Sequence, residues 1–211
     1  MKKHLTTILF LGAIWGLLEA TLGYVLHFLP ALISGSILFP IATLVMLRTY
    51  QVTNSKKSVF GVAVTASLIK SVNLLMPNLS VWKVINPMIS ILVEALLVVA
   101  VLGVLSSNKV LPKIIALPLV SITWRAIFLG ALAIQYTTGA MAVASPLIAS
   151  TSSIVDFAIV SGLLSGAIAT LIYFAHTLWI QKTKVFFATN RYAAISTFVL
   201  AVATTIAVNF I

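Results

Sequence analysis

The chain has no cysteine among its 211 residues, so disulfides and thiolate metal centres are excluded. It has three acidic residues in all, and only 8% of its residues are charged. Soluble domains carry roughly 25% charged residues, so a water-facing surface cannot be built from this composition. Period-two alternation is lacking too. The apolar residues come in continuous runs, which argues against a membrane β-barrel. Sequence motifs for chemistry are equally scarce. There is no GxxxxGK[ST] run for a nucleotide phosphate, and neither HExxH nor GxSxG occurs. No cofactor site, metal site or catalytic residue is expected, and the chain does not read as an enzyme.

What is present is hydrophobic sequence: 61% apolar residues and a mean hydropathy of +1.18. The chain reads as a single integral membrane domain over residues 1–211, an all-α bundle of six or seven transmembrane helices with lipid around it. Seven apolar segments run from Leu5 to Phe28, Ala31 to Leu47, Ser58 to Met76, Val84 to Leu105, Ile114 to Gln135, Ser152 to Ile180 and Ala193 to Ile211. Most reach the ~20 residues that a bilayer requires. The second is the shortest and contains Pro40, so six spans follow if one segment is re-entrant or interfacial. The first run has no small-x-small cleavage site and reads as a retained helix.

The net charge of +10 does not point to nucleic acid. Lys2 and Lys3, then Arg48, Lys56 and Lys57, then Lys109 and Lys113, then Lys182, Lys184 and Arg191 fall in alternate connections, while the others hold only Lys83. The positive-inside rule then places the N-terminus in the cytoplasm of a multi-pass protein of the bacterial or archaeal cytoplasmic membrane. The uncharged connection "YTTGAMAVASPLIAST", residues 136–151, falls on the outer side, either as a lid over a site or as a loop in the headgroups.

All three acids lie inside apolar segments, Glu19, Glu94 and Asp156, and two bases join them, Lys70 and Arg125. A charge at a helix centre costs roughly 2.5–3.5 kcal/mol on insertion scales, and such residues mark pathways or binding sites by default. At about 100° per residue, Gly12, Gly16, Glu19, Ala20, Gly23 and His27 share one arc. Ala63, Ala66, Ser67, Lys70 and Asn73 share another. Asn86, Pro87, Ser90 and Glu94 share a third, and Pro118, Ser121 and Arg125 a fourth. Small and hydrogen-bonding residues on these faces suit an internal cavity or a close helix contact. Lys70, Asn73, Asn86, Glu94, Arg125 and Asp156 are the expected contacts for a small-molecule ligand. His27 and His176 read as interfacial, Trp82 and Trp179 as belt anchors, and Trp124 as packing.

The stretches "GAIWGLLEATLGYVLH", "SGSILFPIATLVM", "SLIKSVNLL" and "INPMISILVEALLV" resemble the substrate-binding S components of energy-coupling factor (ECF) transporters, over roughly residues 8–105. That resemblance implies a compact bundle, typically of six helices, that captures a vitamin or vitamin precursor from outside. It also implies docking to a coupling membrane protein and its ATPase subunits. Gly12, Gly16 and Ala20 match the small-residue spacing of the family's docking helix. The N-terminal "MKKHLTT" does not match the His-rich motif of metal-binding members, which disfavours a metal substrate. Two other classes stay open: a proton- or ion-coupled secondary transporter using Glu19 or Glu94, and an intramembrane enzyme or assembly factor.

Overall fold

The computed structural model of the chain describes residues 2–26, 31–76, 80–178 and 190–208. These form seven long helices: α1 (Lys2–Leu26), α2 (Ala31–Thr53), α3 (Lys56–Ser71), α4 (Val81–Leu105), α5 (Val110–Thr137), α6 (Thr151–Leu178) and α7 (Arg191–Val208). No strand occurs among the described residues. Among the described residues, six candidate spans of 18 to 28 residues each are long and apolar enough to cross a membrane. The protein is therefore an all-α, multi-pass membrane bundle.

Local chemistry sets the helix ends. The second hydrophobic run stops at Leu47, yet α2 continues six residues further. Thr49 and Thr53 return their hydroxyls to the carbonyls of Val45 and Thr49, at 2.8 and 2.7 Å, and Arg48 donates to the Gln51 side chain three residues on. Polar residues satisfied within one helix extend it past the apolar run. Asn54 then takes a left-handed φ of 48°, a conformation asparagine tolerates. Ser55 follows at once as the N-cap of α3, its hydroxyl accepting from the Ser58 N–H at 3.2 Å. α3 is followed by a short 3₁₀ turn, Val72–Leu75. Within α6, Asp156–Val160 form a π turn, which shifts the helical phase between the flanking segments.

Six helices close into a ring in the order α1, α3, α4, α5, α6, α2, and α2 returns to α1. α2 also touches α3 and α4 and is the innermost element. α7 packs on the outside of α1, burying Ala194, Ala201 and Thr205. Close approaches rely on glycine. A Cβ on Gly166 would lie 2.3 Å from Pro118 Cα, and one on Gly162 would lie 2.9 Å from Ile122 Cγ1, so α5 and α6 are in backbone contact there.

The two halves of the bundle differ. The half carrying Arg48, Lys56, Lys57, Lys109, Lys113 and Arg191 holds the main core, including Met46, Val59, Val62, Val98, Leu102, Leu117 and Tyr173. The Tyr173 hydroxyl donates to the Leu105 carbonyl across this core. His176, in the last turn of α6, is buried there, 4% exposed, near Arg48. His27 and Trp179 lie outside the described residues. The opposite half is not filled.

Candidate functional site

A cavity of about 1110 Å³ occupies that opposite half, above the 300–1,000 Å³ or so usual for small-molecule sites. Its charged and amide-bearing wall comes from three helices and a turn: Glu19 on α1, Lys70 on α3, Asn73 on the 3₁₀ turn, and Lys83, Asn86 and Glu94 on α4. These elements meet because α3 packs on both α1 and α4. Asn86 is held by Gln135 on α5, whose amide donates to its Oδ1 at 2.9 Å. Pro87, next in line, cannot donate to the carbonyl of Lys83 one turn back, and all three residues line the cavity.

Each acid makes one hydrogen bond within its own helix. Trp15 Nε1 donates to Glu19 Oε1, and Ser90 Oγ donates to Glu94 Oε1, both at 3.2 Å. Glu19 lies close enough to Lys70 for their charges to interact, Glu94 does so with Arg125, and the two acids feel one another across the cavity. Two acids and two bases thus form one electrostatic group, neutral when all are ionised. A buried charge requires such compensation.

Part of the remaining wall is aromatic. Trp124 lies 6.4 Å from Phe39, 6.2 Å from Phe128 and 6.0 Å from Phe157, centroid to centroid, and all four rings line the cavity. Trp124 is therefore a wall residue as well as a packing residue, unlike its sequence reading. Trp82 also faces the cavity. Its indole N–H donates to the Ala140 carbonyl at 2.7 Å and ties the α5–α6 loop to the start of α4. Ala140, Met141, Ala142, Val143 and Leu147 of that loop line the cavity as well, so the uncharged connection lies against it.

Two expected contacts sit elsewhere. Arg125 is fully buried and does not line the cavity. Its guanidinium lies 4.4 Å from the Trp124 ring centroid and 5.6 Å from that of Phe157, and it donates to the Ser121 carbonyl at 2.9 Å and to the Ser121 hydroxyl. Arg125 is thus a support behind the aromatic wall. Asp156 is exposed on α6 and borders a separate, smaller recess with Ser153 and Leu147. Phe157, one residue on, takes the inward position instead.

The small-residue face of α1 is covered from within the chain. A Cβ on Gly12 would lie 2.5 Å from Thr65 Cβ, and one on Gly16 would lie 2.8 Å from Ile69 Cδ1. Both glycines are contacts for α3, which leaves them no open surface for a partner, and Ala20 lines the cavity. Among the described residues no group of three or more His, Asp and Glu stands together as metal ligands. The chain matches no family model, no curated protein and no solved structure.

Proposed function

We propose that this protein is the substrate-capture membrane subunit of an ECF-type importer. In this reading it binds a small water-soluble metabolite, such as a vitamin or vitamin precursor, from the outer side of a bacterial or archaeal cytoplasmic membrane. It then works with a coupling membrane protein and ATPases and performs no catalysis itself. The observation that carries the reading is the asymmetry of the bundle. Charged and amide side chains surround a large cavity in one half, while the half bearing the basic residues is filled by core. Such a shape suits capture from one side rather than conduction through the protein. With the basic residues on the cytoplasmic side, the cavity faces outward. Glu19, Lys70, Asn73, Asn86 and Glu94 are the proposed ligand contacts, with Arg125 acting through Trp124 and Glu94. Because Gly12 and Gly16 are covered by α3, docking is assigned to another face.

The testing experiment is native mass spectrometry of the purified protein for retained small molecules, followed by transport in proteoliposomes with and without an ATPase module. A retained metabolite, with uptake only when the module is present, is the expected result. The coupled acids Glu19 and Glu94 favour one second reading, a proton- or ion-coupled secondary transporter. Uptake by the chain alone under an ion gradient would establish that reading and overturn the first.

A further inference from the structure

We propose that the recess beside Asp156 binds the ammonium headgroup of an aminophospholipid from the surrounding leaflet. The site is separate from the main cavity and does not depend on what that cavity captures.

Three observations carry this. The first is the charge of the recess. It has a volume of about 460 Å³, and Asp156 is the one charged residue among the described residues that line it. Lys70 and Lys83 border the main cavity instead. Arg125 lies 5.6 Å from the Phe157 ring centroid, but it is fully buried and lines neither space. Leu147 and Phe157 line both and form the wall they share.

The second is the bonding left open. The Asp156 carboxylate has no hydrogen bond or ion pair with any described residue. Ser161 also lines the recess, 1% exposed, and its hydroxyl has no partner among the described residues. Buried polar groups are as a rule hydrogen-bonded, so this hydroxyl points to a ligand. Ser153 adds a second hydroxyl, 2.9 Å from that of Ser150. By donating to Ser150 it keeps its own lone pairs to accept. An ammonium brings three donors and no acceptor. One carboxylate and two hydroxyls supply an acceptor for each donor. The same set falls short of the roughly six to eight oxygens that calcium takes.

The third is depth. α6 has 28 residues, a length of about 42 Å, which covers the ~30 Å hydrocarbon core and the headgroup layers on both sides. Asp156 lies five residues beyond the first, Thr151, or about 7.5 Å along the axis. That is the level at which headgroups meet acyl chains. Val155, Ile159 and Val160 are exposed around it, so lipid reaches the recess. Pro146 and Val160 give it an apolar side, suited to the carbons of a lipid and of no use to a small hydrophilic amine from the water.

The test counts lipid adducts by native mass spectrometry of the whole purified protein, released from micelles holding equal amounts of the probe lipids. The probes share identical acyl chains: phosphatidylethanolamine, its N-methyl and N,N-dimethyl derivatives, phosphatidylcholine and phosphatidylglycerol. Phosphatidylethanolamine should be retained at least threefold above phosphatidylcholine, with retention falling stepwise as methyl groups replace N–H donors. Asp156→Asn should lower it to the phosphatidylcholine level and leave thermal unfolding unchanged, since the residue is exposed. Equal retention along the methylation series, or phosphatidylglycerol retained above the rest, overturns the proposal. So does a saturable thermal shift with free ethylamine that Asp156→Asn abolishes while the lipids show no preference, which would assign the recess to a soluble amine. Because the lipid series is compared on the unaltered protein, a variant that fails to fold does not remove the test.

Discussion

Alanine substitution at three glycines of α1 separates two accounts of that helix. At Gly12 the new Cβ would lie 2.5 Å from Thr65 Cβ and 2.9 Å from the Val62 carbonyl oxygen. Neither neighbour yields easily. Thr65 is β-branched and stiff at χ1, its hydroxyl bonds to the Gly61 carbonyl at 3.0 Å, and the Val62 oxygen is backbone. At Gly23 nothing lies within 4 Å. Gly→Ala in a helix interior gains about 0.8–1 kcal/mol from backbone propensity, and overpacking costs about 1–3 kcal/mol. With a rigid neighbour the upper part of that range applies, so Gly12→Ala should lose about 2 kcal/mol net. Gly23→Ala should gain up to about 1 kcal/mol, for a spread of about 3 kcal/mol within one helix. Gly16→Ala falls between, because its closest neighbour at 2.8 Å is the flexible end of Ile69. Reversible unfolding of the purified chain in mixed micelles, followed by tryptophan fluorescence, measures all three. If the stripe served only to dock a partner, the isolated chain would be indifferent to all three substitutions. Gly12→Ala and Gly23→Ala unfolding within about 0.5 kcal/mol of each other would refute internal packing.

Three further outcomes are expected. Arg125→Ala should destabilise by about 3–5 kcal/mol in the same unfolding assay, because it strands Glu94 in the bundle, and Arg125→Lys should recover only part, since an ammonium lacks the planar guanidinium that lies beside Trp124. Trp82→Phe removes the hydrogen bond to Ala140; hydrogen exchange of the segment around Gly139 and Met141 should rise, while global stability falls by no more than about 1.5 kcal/mol. The natural absence of cysteine makes single substitutions clean topology reporters: with the N-terminus in the cytoplasm, Ser80→Cys should label with an impermeant maleimide from outside and Lys57→Cys only after permeabilisation.

The class of the protein was legible because membrane insertion acts on the simplest property of a sequence, the length of its apolar runs. The faces of α1, α3 and α4 were legible for a related reason: each is regular through its polar residues, so a fixed angle per residue brings Glu19, Lys70 and Glu94 to one interior. Arg125 and Asp156 stand apart from the cavity lining, where that rule gives too little. Arg125 is fully buried against the Trp124 ring, and of the two it is Trp124 that lines the cavity; periodicity cannot rank two neighbours by depth. Asp156 opens a π turn, and Phe157 takes the inward place. The end of α2 was missed because its last turns are held by hydroxyl-to-carbonyl bonds and an Arg48–Gln51 contact, which hydropathy does not register.

The position of Glu19 on a glycine stripe has a consistent physical sense. Gly12 and Glu19 are seven residues apart, nearly the same azimuth and about 10.5 Å along the axis. Both look at α3. In the filled half, that azimuth meets Thr65 and Ile69 at glycine-permitted distances. Toward the cavity it meets the charge of Lys70. Close backbone approach at Gly12 and Gly16 therefore sets the axial register of α3 on α1, and the register sets how Lys70 stands to Glu19. Packing in one half and electrostatics in the other are consequences of a single helix contact. On this reasoning Gly12→Ala should weaken ligand retention as well as stability, although it lies well away from the cavity. Gly23→Ala, a cavity-lining position, should alter retention without lowering stability.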